Sequence, residues 1–368
     1  MSNAETGTGA LGHAGHFYIL HASFWLLRMV RLKDIAERAG VSIMTVSKAL
    51  RAKPDVSPTT RARIKVLAQQ MGYVPDSTAQ GLRSRTSKLF GAVISSITNP
   101  IFTRVVRALE ERAHAAGYDL FLAHTYNDTA REERCIRRLL SRRVDGLFIS
   151  PVYRMESESR IYQELLARGT PTVLLGHPAA FCSAFPGVSS DDLLAGYNIT
   201  KYLIGLGHKR IAFLAGRLVG PWAQERLEGY RRALREAGMD VDDHLIFGAG
   251  SAVEDGAKAA SQMLSENCDA TAVQAVNDLV AVGCATAFLR QGLRIPQDIS
   301  IVGFGDILVS EHFRVPLTTA RQPKFRLGVA AMETMLKMLR RDRVESRRLP
   351  AELVVRESTA PPRTAAPA

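Results

Sequence analysis

The chain has 368 residues, 46% hydrophobic and 23% charged, with 48 Lys and Arg against 36 Asp and Glu, for a formal net charge of +12. That hydrophobic content supplies more than one folded core and excludes a wholly disordered polymer. Four scattered cysteines, with no Cys-x-x-Cys pair and no histidine at ligand spacing, argue against a disulfide scaffold and against structural zinc, and fit a reducing cytoplasm.

Residues 1–29 read as an N-terminal extension, expected to be disordered. Its apolar run, Phe17 to Leu27, is broken by His21 and Ser23, follows no basic segment and is too short to span a bilayer. It is expected to be neither signal peptide nor anchor, so no membrane partner is implied. Met29 fits a native start, and His13 and His16 are read as stray tail histidines, not metal ligands.

Patterned sequence begins at Val30. Leu32, Ile35, Ala36 and Ala39 recur at the three- and four-residue spacing of one helix face, with Lys33, Asp34, Glu37 and Arg38 on the other. Gly40 then suits a helix end and Ser42 the N-cap of a second helix, Ile43 to Arg51. In that helix Val46, Ala49 and Leu50 turn inward and Ile43, Met44, Ser47 and Lys48 turn outward. Such side chains at the front of an exposed helix suit the major groove of DNA. Pro58 to Gln70 gives a third helix, which closes a small core. From Val30 to Lys88 there are 12 Lys and Arg against 4 Asp and Glu, so most of the chain's excess charge lies around this hairpin, where cations neutralise phosphates. Residues 30–74 are therefore expected to be a small all-α DNA-binding domain, and residues 75–88 a linker whose segment Asp76 to Ser84 is too short, and too interrupted by Gly81, to hold a helix alone.

From Leu89 the pattern alternates between strands and amphipathic helices. Strands are expected at Leu89 to Ser95, Tyr118 to Ala123, Val144 to Ile149 and Thr172 to Leu175, with helices near residues 102–116, 130–142 and 157–168. A second set has strands at Arg210 to Ala215, His244 to Phe247, Ala272 to Val276 and Ile299 to Val302, with helices near 192–206, 223–237, 254–266 and 278–291. This alternation implies parallel sheets covered by helices, in two lobes. The N-lobe is expected at about 89–187 and 322–348, and the C-lobe at about 188–318 and 350–358. Pro350 to Arg356 reads as a closing strand, and residues 359–368 as a disordered Ala/Pro tail.

The runs DIAERAGVS, TVSKAL, VSPTTRARI and MGYVPDSTAQGLRS, in this order and spacing, resemble the headpiece and hinge of the LacI/GalR family of bacterial transcription repressors, and the resemblance extends over about residues 30–358. It implies a repressor that binds a palindromic double-stranded operator as a homodimer, with a periplasmic-binding-protein-like effector domain and a small-molecule effector of the carbohydrate class. It also implies a hinge helix that forms over the operator, with Leu82 wedged into the minor groove and Ala79 one turn earlier. Base reading is expected from Ile43, Met44 and Lys48, and phosphate contact from Ser42, Thr45, Ser47 and Arg51.

Ligands of open parallel sheets sit beyond the carboxyl ends of the strands. The loops there carry Phe102, Tyr126, Ser150, His177, Asp191, Trp222, Arg226, Asn277 and Asp278, a set with donors, acceptors and aromatic faces for a hydroxyl-rich ligand. Arg226 and Asp278 match the family's cleft arginine and aspartate, while either could also be an ordinary helix-start charge. Phe102 and Trp222 suit a sugar ring or lobe packing. The chain departs from many sugar-responsive members where LLGHP, with Gly176 and His177, replaces an acidic residue after the fourth strand. No nucleophile elbow, phosphate loop, metal cluster or complete dinucleotide fingerprint is present, so neither catalysis nor a cofactor is expected.

Overall fold

The computed structural model describes residues 30–74 and 86–363. The described residues divide into two compact units, residues 30–74 and 86–363.

In the first unit, α1 (Leu32–Ala39), α2 (Ile43–Leu50) and α3 (Pro58–Gln70) enclose Ile35, Ala36, Val46, Ala49 and Ile64. Short-range chemistry sets their ends. The Asp34 carboxylate accepts from the Arg31 amide at 2.8 Å, and Gly40 takes φ 63°, a left-handed residue that costs glycine nothing. Ser42 Oγ caps α2 by accepting from the Thr45 amide at 3.1 Å. Ser57 caps α3, which Pro58 then opens. The Arg63 guanidinium donates to the Ala39 carbonyl at 2.8 Å, tying α3 to the end of α1.

The second unit contains two sheets. The N-lobe sheet has β1 (Leu89–Ile94), β2 (Asp119–His124), β3 (Gly146–Ile149), β4 (Thr172–Leu175), β5 (Gly187–Ser190) and β11 (Arg347–Leu349), in the order β11-β5-β4-β3-β1-β2 and parallel throughout. The C-lobe sheet has β6 (Ile211–Ala215), β7 (Ile246–Gly248), β8 (Ala272–Ala275), β9 (Ser300–Gly305), β10 (Thr318–Arg321) and β12 (Glu352–Val354), in the order β12-β10-β9-β8-β6-β7. Within it the β10–β12 pair is antiparallel.

Helices cover both faces of each sheet. In the N-lobe, Phe90, Ala92 and Ile94 alternate toward α4 (Pro100–Ala115) and α12 (Lys324–Leu339). Val93, Leu147 and Ile149 face α5 (Thr129–Ser141) and α6 (Arg160–Ala167). Burial on both faces makes these strands apolar at nearly every position, the pattern of a covered parallel sheet. The C-lobe repeats the plan with α7 (Asp192–Gly205) and α8 (Pro221–Glu236) on one face, and α9 (Val253–Ser265) and α10 (Asp278–Arg290) on the other. The short α11 (Leu308–His312) follows β9. Gly283 lets α10 approach α9 closely, since a Cβ there would lie 1.9 Å from the Val253 carbonyl.

Three features correct the sequence reading. β5 pairs with β4 and β11, so the chain first leaves the N-lobe at Asp191, later than the expected break at 187 and 188; the other crossings fall at 322–323 and 350–351. The seventh strand begins later than His244, because Asp243–Leu245 is a 3-10 turn capped by Asp242. The tail is not free from residue 359: Ser300 Oγ and the Ala360 backbone exchange two hydrogen bonds of 3.0 Å, and Thr359 Oγ1 lies 2.9 Å from the Tyr202 hydroxyl. His208 holds the same segment, its Nε2 donating to the Ala360 carbonyl at 2.9 Å and its Nδ1 lying 2.8 Å from Thr271 Oγ1.

Candidate DNA-reading helix and interlobe site

On α2, burial of Val46 and Ala49 forces the neighbouring positions outward, and Ile43 and Met44 are 48% and 56% exposed. Leaving two large apolar side chains in water forgoes burial worth about 1.5–3 kcal/mol each, so this face is poorly explained by folding alone. Ser42 and Thr45 hydroxyls lie 2.9 Å apart at the start of the helix. Arg51 folds back on Ser47, donating from Nε to its carbonyl at 2.9 Å and from Nη2 to its hydroxyl at 3.0 Å. The ammonium of Lys48 is not free: it is ion-paired with Asp55. Ala79 and Leu82 lie outside the described residues.

In the second unit the expected residues divide sharply. His177, Arg226 and Asp278 are buried. Arg226, on α8, donates from Nε at 2.8 Å and from Nη2 at 2.7 Å to Asp192 Oδ1, and from Nη1 at 2.6 Å to the Val276 carbonyl. Three of the five guanidinium N–H groups are thus committed within the protein. Its Cζ also lies over the Phe304 ring, 3.5 Å from the centroid, and over that of Trp222 at 5.0 Å. The other carboxylate oxygen of Asp192 accepts from His177 Nε2 at 2.7 Å and from Ser190 Oγ at 3.1 Å, and Gln322 Nε2 donates to Ser190 Oγ at 2.8 Å. Burial alone would raise the Asp192 pKa, but the charge of Arg226 and the bond from His177 outweigh it and hold the carboxyl below its ordinary range. His177 belongs to the loop after β4 and Asp192 opens α7, so this pair joins the two lobes; Glu225 on α8 does so again, meeting Arg348 of β11 at 2.6 Å.

Asp278 is a separate hub. Its Oδ1 accepts from Thr319 Oγ1 at 2.6 Å and its Oδ2 from the Ile307 amide at 3.0 Å, linking α10 to β10 and the β9–α11 turn. Burial pushes its pKa up despite these bonds. Asn277 caps α10, accepting from the Val280 amide at 2.8 Å, and donates to the Ser251 carbonyl at 3.1 Å. Asp191 is a cap as well: its Oδ1 accepts from the Leu194 amide at 3.1 Å, and its neighbour Asp192 is the acid that meets Arg226. The sequence reading missed Asp192, although a second carboxylate at a helix start was visible in the run SSDDL. Phe102 and Trp222 pack against the cores of their lobes, Ser150 follows β3, and Tyr126 is exposed at φ 51° beneath the Arg131 guanidinium.

His177, Asp192 and Glu225 are residue types that hold metals, and their ligand atoms lie within 4.8 Å of one another. They fit an ion poorly. The two carboxylates face opposite ring nitrogens of His177, Asp192 at Nε2 and Glu225 3.5 Å from Nδ1, and arginines already pair with both acids. A surface hollow of about 790 Å³ opens elsewhere, beside Gly207, Lys209 and Asp240, and contains none of the expected effector residues.

A capped helical hairpin with an outward apolar helix, in one chain with a two-lobed α/β unit crossed three times, defines a class: DNA-binding regulators with a small-molecule-binding domain. Residues 31–76 match the model of "Bacterial regulatory proteins, lacI family", and residues 87–357 that of "Periplasmic binding proteins and sugar binding domain of LacI family". The chain belongs to the LacI family of bacterial regulatory proteins. It is 34% identical to the ribose operon repressor of Haemophilus influenzae over 90% of this chain and 98% of that one. It is 32% identical to the transcriptional repressor CytR of Escherichia coli over 89% and 96%. The operator-bound lac repressor dimer superposes with a TM-score of 0.81 at 28% identity, covering 90% of this chain and all of the other. Among the described residues, no helix is long and apolar enough to cross a membrane.

Proposed function

We propose that this chain is a repressor that binds a palindromic operator as a homodimer in the cytoplasm, and that a hydroxyl-rich small molecule between the lobes controls it without any catalytic step. The observation that carries this reading is the outward face of α2. Its capped N-terminus presents Ile43 and Met44 to solvent over a fully formed core, as a helix entering a major groove requires. Ile43 and Met44 suit thymine methyl groups, and Lys48 can donate to guanine O6 and N7. Ser42, Thr45, Ser47 and Arg51 flank them and serve phosphates. Dimerisation supplies the second half-site and a partner for a hinge containing Ala79 and Leu82.

On the effector side, the Asp192–Arg226–His177 network lies where the lobes meet, so a ligand that exchanges hydrogen bonds with it changes the balance between lobe arrangements. Phe102, Tyr126, Ser150, Trp222, Asn277 and Asp278 complete the candidate set, and the ribose operon repressor among the relatives favours a carbohydrate.

The test is selection of duplexes from a random library, followed by a thermal-shift screen of sugars. Recovery of a palindrome bound by two chains, with a sugar that both raises the melting temperature and alters duplex affinity, is the expected result. No preference for any duplex over random DNA at moderate salt overturns the reading. Within it, Lys48→Ala relaxes preference at one base pair, whereas Arg51→Ala weakens all duplexes alike.

A further inference from the structure

We propose that Asp55 is a specificity-determining residue: by holding the Lys48 ammonium it positions that group for one base pair and withholds it from phosphates. The proposal rests on α2 being the reading helix.

Asp55 lies in the connection between α2 and α3, and four observations show that this connection is built, not loose. The Lys53 amide donates to the Lys48 carbonyl at 3.0 Å, and Ala52 takes the left-handed φ of 54°. The Arg61 guanidinium donates to the carbonyls of Lys53 at 2.8 Å and Val56 at 3.0 Å. Val56 is buried in the headpiece core. The backbone carrying Asp55 is therefore fixed relative to α2, and its carboxylate meets Lys48 Nζ in a direct ion pair.

The other described acids of this unit have different work. Asp34 caps α1, and Glu37 pairs with Lys33 on the same helix. Asp55 is an acid set beside the outward face of the helix in a unit otherwise rich in cations, where it repels phosphate and offers nothing to sequence-independent binding. The ammonium has three donors, and one directed at Asp55 leaves two for an acceptor pair such as guanine O6 and N7. A base pair without those acceptors gains no bond from Lys48 and still meets the carboxylate. Discrimination then comes from the repulsive element as well as the attractive one. Both side chains are half exposed, so the pair adds little to folding stability, which separates its effect on DNA from any effect on the fold.

The experiment uses the full chain and its Asp55→Asn variant, on the palindrome selected by the wild type, on that palindrome with each base pair substituted, and on a scrambled duplex, across a salt series. The expected result is an unchanged melting temperature, several-fold tighter binding to scrambled duplex, a salt slope steeper by about one, and a smaller cognate-to-scrambled ratio with the loss concentrated at the base pair relaxed by Lys48→Ala. In the double variant Lys48→Ala/Asp55→Asn the loss at that base pair is no greater than in Lys48→Ala alone. An unchanged ratio and slope, a uniform loss of affinity, or a change at a base pair independent of Lys48 overturns the proposal. Failure of the wild type to select any duplex is a different result, and sinks the reading of α2 instead.

Discussion

Asp192→Asn is the most informative single change in the second unit. Asp192 and Arg226 are 2% and 4% exposed, and the substitution keeps the shape of the side chain while removing its charge. The guanidinium would then be buried with the Val276 carbonyl as its remaining strong acceptor. The new amide would also set a donor against either Arg226 or His177, because each carboxylate oxygen accepts from one of them. Removing one partner of a buried, hydrogen-bonded ion pair costs about 3–5 kcal/mol. For a unit of this size that corresponds to a fall of about 10 °C in melting temperature. Asp192→Leu combined with Arg226→Met removes both charges and should recover much of the loss, as a double-mutant cycle of melting curves would record. The pH dependence has a defined sign. Because the folded carboxyl is held below its ordinary pKa, its contribution is present above the unfolded value near 3.8 and disappears as pH falls through the folded value. Acid unfolding should therefore be less steep below pH 4 in the variant. A melting temperature within about 1 °C of wild type would refute the assignment of Asp192 as the partner that keeps Arg226 buried.

Three further outcomes are expected. Burial holds His208 below its ordinary value of 6.5, so its contribution is present above that pH and is lost as pH falls toward the folded pKa; melting curves of His208→Gln should lack this drop, and limited proteolysis should find residues 359–363 more accessible in wild type at the lower pH. Gly283→Ala drives a methyl into the Val253 carbonyl and should destabilise the second unit by about 1–3 kcal/mol in urea unfolding, whereas the same change at Gly248, which has open space around it, should be nearly silent. Ser42→Ala removes the cap of α2 at a cost of about 1 kcal/mol to the first unit, measured on its own transition, and should weaken all duplexes without changing their rank order.

The first unit was legible because its determinants are local. Gly40, Ser42, Ser57 and Pro58 act on groups within a few residues of themselves, and the apolar stripe of each short helix needs no distant partner to be recognised. The two-lobed plan followed from the same kind of signal, since a doubly covered strand is apolar along its length and a surface helix is apolar on one side. The partners could not be read this way. Arg226 finds its acid 34 positions earlier, Gln322 reaches Ser190 across 132, and His208 holds a carbonyl 152 residues on. Choosing Asp192 over Asp191 therefore depended on which carboxylate faces α8 once α7 has started, and the strands GVSS and RRL carry too little apolar pattern to announce themselves without β4 beside them. Sequence by itself determined which segments become helix or strand and which helix turns outward, because those choices are made by neighbours along the chain. Tertiary structure alone decided which charges are consumed as internal pairs, because that is set by contacts that exist only after distant elements have packed.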